Sequence, residues 1–352
     1  MSAAPTWLPQ WTKGDGPEAD VVLSTRARLA RSLADLPFPA RATEEDSATV
    51  VSAVRRAAAR LLERFPGLTA LSVRALSREE QAFLLDAHLA SPEQLGSGEG
   101  RTVIAEPGAL LSIMVNEEDH LRIQALMSGL VPEQAWDLVD WADDVLGQNL
   151  EYGYSERYGF LTASLSNVGT GLRVSVLMHL AGMAATRRLG AHLRAAYDLG
   201  VSVRGTFGEG TRAVGDVYQV SNEVTLGLSE MDIAQRVRSV AEYLLDEERL
   251  ARKELISEGR NRLLDRTKRA LERMTSPRAI APEQALTLLS VLRLASELGL
   301  VEECPRMLLN ELLVGMRAGD GNDWDASVER AQLLRARLAG VHLPPRQPGI
   351  RQ

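Results

Sequence analysis

From Val21 to about Val224 the chain alternates between two hydrophobic periods. Short runs rich in Val, Ile, Thr and aromatics, namely VVLSTRARLA, RTVIAEP, LLSIMVNE, GFLTA, VSVRGTF and VYQVSNEV, are bounded by Gly, Pro or Asn and predict strands. Between them, residues 47–65, 78–89, 132–150 and 172–199 carry apolar side chains at helical spacing, so this region reads as mixed α and β. Beyond Ser229 the strand signals stop, and residues 231–274, 282–300 and 325–338 predict helices alone. A charged helical stretch between residues 244 and 258 holds the expected domain boundary, with no Pro or Gly until Gly259. Residues 96–100, GSGEG, read as a mobile connector, and the proline-rich end HLPPRQPGIRQ as a frayed tail.

Composition narrows the class. At 352 residues, 45% hydrophobic and 25% charged, the chain has the make-up of a folded protein with room for two domains. No apolar run approaches the ~18 residues a membrane helix requires, and the start lacks a signal-type apolar core, so a cytoplasmic protein with no membrane partner is expected. The one cysteine, Cys304, excludes an internal disulfide and a thiolate zinc cluster. A net charge of −7 is the wrong sign for general nucleic-acid binding, so any phosphate recognition is local. Only Lys13, Lys253 and Lys268 are lysines, leaving arginine for 37 of the 40 basic positions (40 minus 3). A phosphate-loop or strand lysine is thereby excluded between Lys13 and Lys253.

Four segments carry candidate chemistry, each with a structural alternative. In Ser24-Thr25-Arg26-Ala27-Arg28, strand spacing puts Arg26 and Arg28 on one face, either as a clamp for phosphate oxygens or as a solvated strand face. Asn116-Glu117-Glu118-Asp119-His120-Leu121-Arg122 follows an apolar run, and offers either a general base beside a phosphate contact or a solvated turn. Ser166-Asn167-Val168-Gly169-Thr170-Gly171-Leu172-Arg173 reads as a glycine turn opening a helical run, where backbone N–H groups and Arg173 either hold an anion or merely cap a helix. Arg204-Gly205-Thr206-Phe207-Gly208-Glu209-Gly210 is a loop able to change shape, or a plain hairpin turn. The conjunction favours chemistry, because each segment joins arginine to a carboxylate, a glycine turn or a strand end.

Phosphoryl transfer needs charge stabilisation more than covalent help, and Arg26, Arg28, Arg122, Arg173 and Arg204 would supply it to ATP. Magnesium would be held by nucleotide phosphates and water, with no dedicated protein ligands. A guanidine acceptor explains the acids: its pKa of about 12.5 to 13.8 makes exposing a lone pair at pH 7 cost roughly 8 kcal/mol. Glu118 and Glu209 would grip the guanidinium from two sides and accept its proton.

At these residues the chain resembles the ATP:guanido phosphotransferase family, in its bacterial protein-arginine kinase branch. STRARLAR, VNEEDHLRIQ, SNVGTGLR and RGTFGEGT stand in the family's order at closely similar separations, from Val21 to about Ile233. The resemblance implies an α+β fold: an antiparallel sheet flanked by helices, of the guanido kinase/glutamine synthetase-like type, as catalytic domain over residues 21–250 after a tail at 1–20. A helical domain at 251–340, serving dimerisation and phosphoarginine binding, and a flexible tail at 341–352 would follow. It further implies ATP contacts from Ser24, Thr25, Arg26, Ala27, Arg28, His88, Arg122, Arg173, Val174, Ser175, Val176, Leu177, Arg204, Gly205, Thr206, Phe207, Gly208 and Glu209. Glu118 and Glu209 would engage the substrate guanidinium. Phosphagen kinases carry a helical domain before the first motif, whereas about 20 residues precede it here, an arrangement expected to leave the guanidine site open to a protein side chain.

Two departures are visible. Ser164 stands where the family usually has a catalytic cysteine, and Leu165 where it has proline, so a thiolate beside the guanidinium is absent. The family's phosphoarginine-docking motif, Arg-Asp-x-x-Arg-Ala, aligns with residues 326–331 and matches only at Arg330 and Ala331. Arg330 and Arg335 are the candidates for phosphoarginine docking, and allosteric activation by that ligand is not expected. The expected activity is transfer of the γ-phosphoryl of MgATP to arginine side chains of proteins by a homodimer. The alternatives are a catalytically weak phosphoarginine-binding adaptor and a kinase of a free guanidino metabolite. The resemblance also suggests a Clp protease system and a heat-shock repressor as partners.

Overall fold

The computed structural model describes residues 8–96, 98–206, 213–316 and 324–344. Its strands are β1 (Val22–Arg31), β2 (Thr69–Ser72), β3 (Thr102–Ala105), β4 (Leu111–Val115), β5 (Leu121–Ser128), β6 (Tyr154–Ser155), β7 (Gly159–Phe160), β8 (Leu172–His179), β9 (Val201–Gly205) and β10 (Val217–Asn222). The α-helices are α1 (Glu44–Ala58), α2 (Arg78–Asp86), α3 (Pro92–Leu95), α4 (Pro132–Gly147), α5 (Ala181–Ala185), α6 (Leu189–Asp198), α7 (Glu230–Thr275), α8 (Pro282–Glu297), α9 (Arg306–Gly315) and α10 (Trp324–Arg337). Eight strands form one sheet in the order β2-β3-β4-β5-β1-β8-β10-β9, while β6 and β7 make a separate hairpin. Antiparallel pairing, helices packed on the sheet and a helical C-terminal region make this an α+β fold.

The chain divides into two compact units. The first comprises Met1–Leu177, Ala195–Val203 and Gln219–Glu242, and the second Met178–Arg194, Arg204–Tyr218 and Tyr243–Gln352.

In the first unit β1 explains how one strand serves both core and site. Leu23, Ala27 and Leu29 are fully or nearly fully buried, and Arg31 on the same face pairs with Asp143 of α4 at 2.7 Å. That pair turns the odd-numbered face of β1 toward α4. The even-numbered face, with Arg26 and Arg28, therefore points the other way. α1 starts on a capping box in which Thr43 and Asp46 satisfy each other's backbone N–H. The glycine turn before β8 is fixed by steric fit: Gly171 has φ +68°, and a Cβ there would lie 2.6 Å from the Ala30 carbonyl oxygen. Only glycine fits that approach without movement.

The second unit packs α5, α7 and α8 around Ala181, Leu263, Leu294, Ala295 and Leu300. α7 leaves helical geometry at Gly259 (φ −146°, ψ 21°), so its two halves are separate helices joined by a kink.

Several expectations change. Residues 172–179 form the strand β8, not the start of a helix, so the glycine turn opens a strand and Arg173 lies on it. The run LRVSVLMHLAGMAA is apolar at enough positions to satisfy either period, and the tertiary position of β8 beside β1 decided for the strand. β2, β5 and α9 were not anticipated, and of GFLTA only Gly159 and Phe160 pair. β5 is a strand because it sits between β4 and β1, bonded to both.

Candidate active site

The register of β1 on β5 assembles the first wall. Arg26 lies opposite Leu126, Arg28 opposite Gln124 and Ala30 opposite Arg122, so Arg26, Arg28, Gln124 and Arg122 share one face. Arg173 of β8 joins them, lining a cavity of about 180 Å³ with Arg28, Ala30, Glu118, Arg122, Ser166, Asn167 and Gly171. Sequence reasoning placed these residues in three separate motifs, and the structure brings them to one cavity.

Arg26 and Arg28 carry their charge at a cost. Arg26 is pushed down to about 10 by burial and by the neighbouring Arg122 and Arg173. Arg28 is pushed well below the usual arginine value by burial, then by Arg26, Arg122 and Arg173. Among the described residues neither has an ion pair within 4.0 Å; Arg26 donates to Gln219 Oε1 of β10 at 3.2 Å. Two arginines with no ion pair among the described residues, set beside Arg122 and Arg173, concentrate positive charge as a site for a polyanion does.

The acidic segment sorts itself by contacts. Glu117 is buried and grips Arg122 with both oxygens, Oε1 to Nη1 at 2.9 Å and Oε2 to Nη2 at 2.8 Å, while Ser91 donates to the same carboxylate. Asp119 Oδ1 accepts from Ser32 Oγ at 2.8 Å and from the Ala163 backbone N–H at 2.7 Å. His120 Nδ1 accepts from the Leu33 N–H at 2.9 Å and Nε2 donates to the Pro37 carbonyl at 3.0 Å, which fixes a neutral ring that burial also favours. Glu118 alone of the four remains open, with 47% of its side chain exposed, 3.5 Å from Arg122. It is the carboxylate that lines the cavity.

The loop around the cavity is braced. Arg31 donates to the Thr170 carbonyl at 2.9 Å, and its Cζ lies 3.5 Å from the Phe160 ring centroid. Asn222 accepts from the Val174 N–H at 2.8 Å and donates to the Leu172 carbonyl at 3.0 Å, pinning both neighbours of Arg173.

The remaining sequence candidates fall as follows. Thr25 donates to the Gly129 carbonyl at 2.6 Å and accepts from Val131 N–H at 3.1 Å, on the face of β1 opposite Arg26; Ala27 is buried beside it and Ser24 is buried on the arginine face. His88 has φ +60°, gives its carbonyl to Gln124 Nε2 at 2.6 Å and lies 6.4 Å from the Trp11 ring. Val174 and Val176 are buried on one face of β8, with Ser175 and Leu177 alternating on the arginine face. Ser164 bonds Ser166 Oγ at 2.9 Å. Arg204 is exposed on β9, Gly205 ends that strand, and Thr206 follows with its N–H on the Val217 carbonyl; Phe207, Gly208 and Glu209 lie outside the described residues.

In the second unit Arg330 is buried and donates to the Met316 and Ile280 carbonyls at 3.0 and 2.8 Å, while Arg335 donates to those of Thr275 and Pro277 at 3.0 and 2.8 Å. Both are committed to helix ends and loops of their own unit. Sequence reasoning missed Gln219, the clamp role of Glu117 and the brace of Arg31 on Phe160. The signal for Gln219 was a polar residue inside the alternating strand VYQVSN.

Clustered guanidinium groups facing one open carboxylate define a phosphotransferase wall, able to hold phosphate oxygens beside a proton acceptor. Known proteins give the finer placement. Residues 49–251 match the family ATP:guanido phosphotransferase, C-terminal catalytic domain, and residues 260–348 match Protein-arginine kinase McsB C-terminal domain. The protein-arginine kinase of Pelotomaculum thermopropionicum is 42% identical over 94% of this chain and 96% of its own length. That of Symbiobacterium thermophilum is 41% identical over 94% and 96%. The crystal structure of lombricine kinase superposes with a TM-score of 0.57 at 26% identity, covering 70% of each chain. The chain belongs to the ATP:guanido phosphotransferase family, in its protein-arginine kinase branch.

Proposed function

We propose that the chain transfers the γ-phosphoryl group of ATP to arginine side chains of other proteins. The observation that carries this reading is Glu118 on the wall of the cavity that Arg28, Arg122 and Arg173 also line. A protein as acceptor is supported by relatives named protein-arginine kinase that match along nearly the whole chain, C-terminal unit included.

Arg26, Arg28, Arg122 and Arg173 hold the phosphate oxygens, and a bound polyanion relieves the repulsion among them. Glu117, gripping Arg122 from behind, keeps that guanidinium aimed at the cavity. Glu118 orients the acceptor guanidinium and takes its proton as nitrogen attacks phosphorus. Glu209 is the second carboxylate, proposed from the sequence motif. Glu117 and Glu118 are engaged with Arg122, and no carboxylate cluster among the described residues is placed to hold a metal, so magnesium would be carried on the nucleotide phosphates and water. When bound it would supply charge neutralisation on the phosphate oxygens.

The test is incubation with MgATP and an arginine-rich protein, followed by mass spectrometry under neutral conditions for acid-labile phosphoarginine. Product that disappears in Glu118→Gln and Glu209→Gln supports the reading. Turnover of free arginine or creatine alone, or ATP-independent capture of phosphoarginine peptides without turnover, would overturn it.

A further inference from the structure

Four of the large hydrophobic side chains exposed among the described residues fall within the twelve residues of sequence that lead to Ser166 on the cavity wall. Leu165 is 90% exposed, Tyr154 60%, Tyr158 44% and Leu161 37%. The stretch runs from β6 through β7 into the loop that delivers Ser166 and Asn167 to the cavity wall. Leu165 is the residue immediately before Ser166.

The loop that carries Leu165 is fixed at many points. The Leu161 N–H bonds the Gly153 carbonyl at 2.8 Å, and the Ala163 N–H bonds Asp119, the neighbour of Glu118, at 2.7 Å. The Ser164 carbonyl accepts from Thr162 Oγ1 at 2.8 Å and from the Asn167 N–H at 3.0 Å. Thr225 Oγ1 bonds the carbonyls of Ser166 at 3.1 Å and Val168 at 2.7 Å. The hairpin behind it is stiffened by Tyr152 and Tyr154 packed edge-on against Phe160, whose face covers Arg31. Leu165 is therefore presented to solvent by a braced loop. A leucine held out in this way, next to a residue of the cavity wall, marks a contact surface.

The size of the cavity says what touches that surface. At about 180 Å³ the cavity is smaller than the roughly 300–1,000 Å³ of a typical ligand pocket, so a target arginine would reach into it by its side chain. Residues flanking the target would then lie on the rim, where Leu165 is the residue next to the lining Ser166. Resting on the function proposed above, we infer that Leu165 forms a subsite for an apolar side chain adjacent to the target arginine in a polypeptide substrate. The occupant is a polypeptide segment carrying Leu, Ile, Val or Phe beside the arginine. Arginine flanked by small polar residues gains nothing from this surface.

The experiment compares two peptides that differ in one flanking residue, Leu or Ser next to a single arginine, with the full chain and MgATP. Phosphoarginine formation gives kcat/KM for each. A preference of about 10-fold for the leucine peptide is expected, the size that one apolar side chain in a partly open pocket gives. Leu165→Ser should bring the ratio close to one, with kcat/KM for the serine peptide and KM for ATP unchanged, and Leu165→Phe should keep the preference. Equal rates for the two peptides, or a preference that survives Leu165→Ser, would overturn the inference while leaving the arginine kinase reading standing. Phosphorylation of neither peptide would overturn both.

Discussion

In the first unit Arg26 and Arg28 share a sheet face with Arg122 and Arg173, and both Arg26 and Arg28 have their charged form disfavoured by burial and then by their cationic neighbours. In the second unit Arg252, Arg293 and Arg330 are buried more deeply, and each meets an acceptor. Arg252 Nε donates to Glu248 Oε1 at 2.7 Å, Arg293 Nη1 donates to Asn310 Oδ1 at 2.5 Å, and Arg330 holds two backbone carbonyls. Glu248 in turn accepts the N–H groups of Gly182 and Met183 at 2.8 Å each, capping α5. The difference separates two uses of one residue type. Where burial of a cation is matched locally, arginine organises the fold; where cations face cations, the fold is spending stability on a site for a ligand that is not part of the chain.

The sharpest break of this contrast is at the carboxylate. Glu118→Gln should lower phosphoarginine formation by about 10² to 10⁴-fold, the range for loss of a general base, with unchanged thermal stability because Glu118 is exposed. Unchanged turnover would remove the proton-acceptor role.

Next comes the matched region. Arg252→Met leaves Glu248 buried without its cation and should cost about 3–5 kcal/mol in urea unfolding. A loss under 1 kcal/mol would show that the backbone N–H groups of α5 suffice for Glu248 and that the pair is not structural.

The crowded region should respond in the opposite direction. Arg26→Met removes a cation that burial and its cationic neighbours disfavour, so the melting temperature without nucleotide should rise by roughly 2 °C or more while ATP protection is lost. The sign follows from linkage: a pKa pushed down to about 10 from 12.5 means that the unfolded chain binds the extra proton between those values, so stability rises with pH only in that window. At neutral pH the penalty is complete. A fall in melting temperature would refute the idea that this wall is internally strained.

The smallest effect concerns His179, buried against Ser290 and held far below the ordinary histidine value by burial, then by Arg293 and Arg252. Such a histidine contributes stability above the unfolded pKa of about 6.5, and that contribution is lost as pH falls below it. His179→Gln should therefore show a shallower decline in urea midpoint between pH 7 and pH 5 than the parent chain. Parallel pH profiles would mean that His179 is already protonated in the folded state.

The arginine clamp was legible in advance because strand alternation is a local rule: Arg26 and Arg28, two apart, had to share a face. The acidic motif was legible only as a group. Nothing in NEEDH says that Glu117 turns back to Arg122, that Asp119 ties down Ser32 and Ala163, or that His120 is locked by Leu33 and Pro37. Those partners lie far along the chain or depend on how a turn folds. β8 was misread as helix because its composition permitted both periods, and a strand is chosen only when a neighbouring edge bonds it.

By itself the sequence determined the residue types and their spacings: arginines paired at strand period, glycines where φ had to be positive, acids concentrated in one turn, and a switch to helix after Ser229. These are set by backbone geometry over a few residues. Which acid stays open, which arginines are neutralised, and that three distant motifs line one cavity were decided only by tertiary structure, because charge compensation and burial depend on neighbours in space.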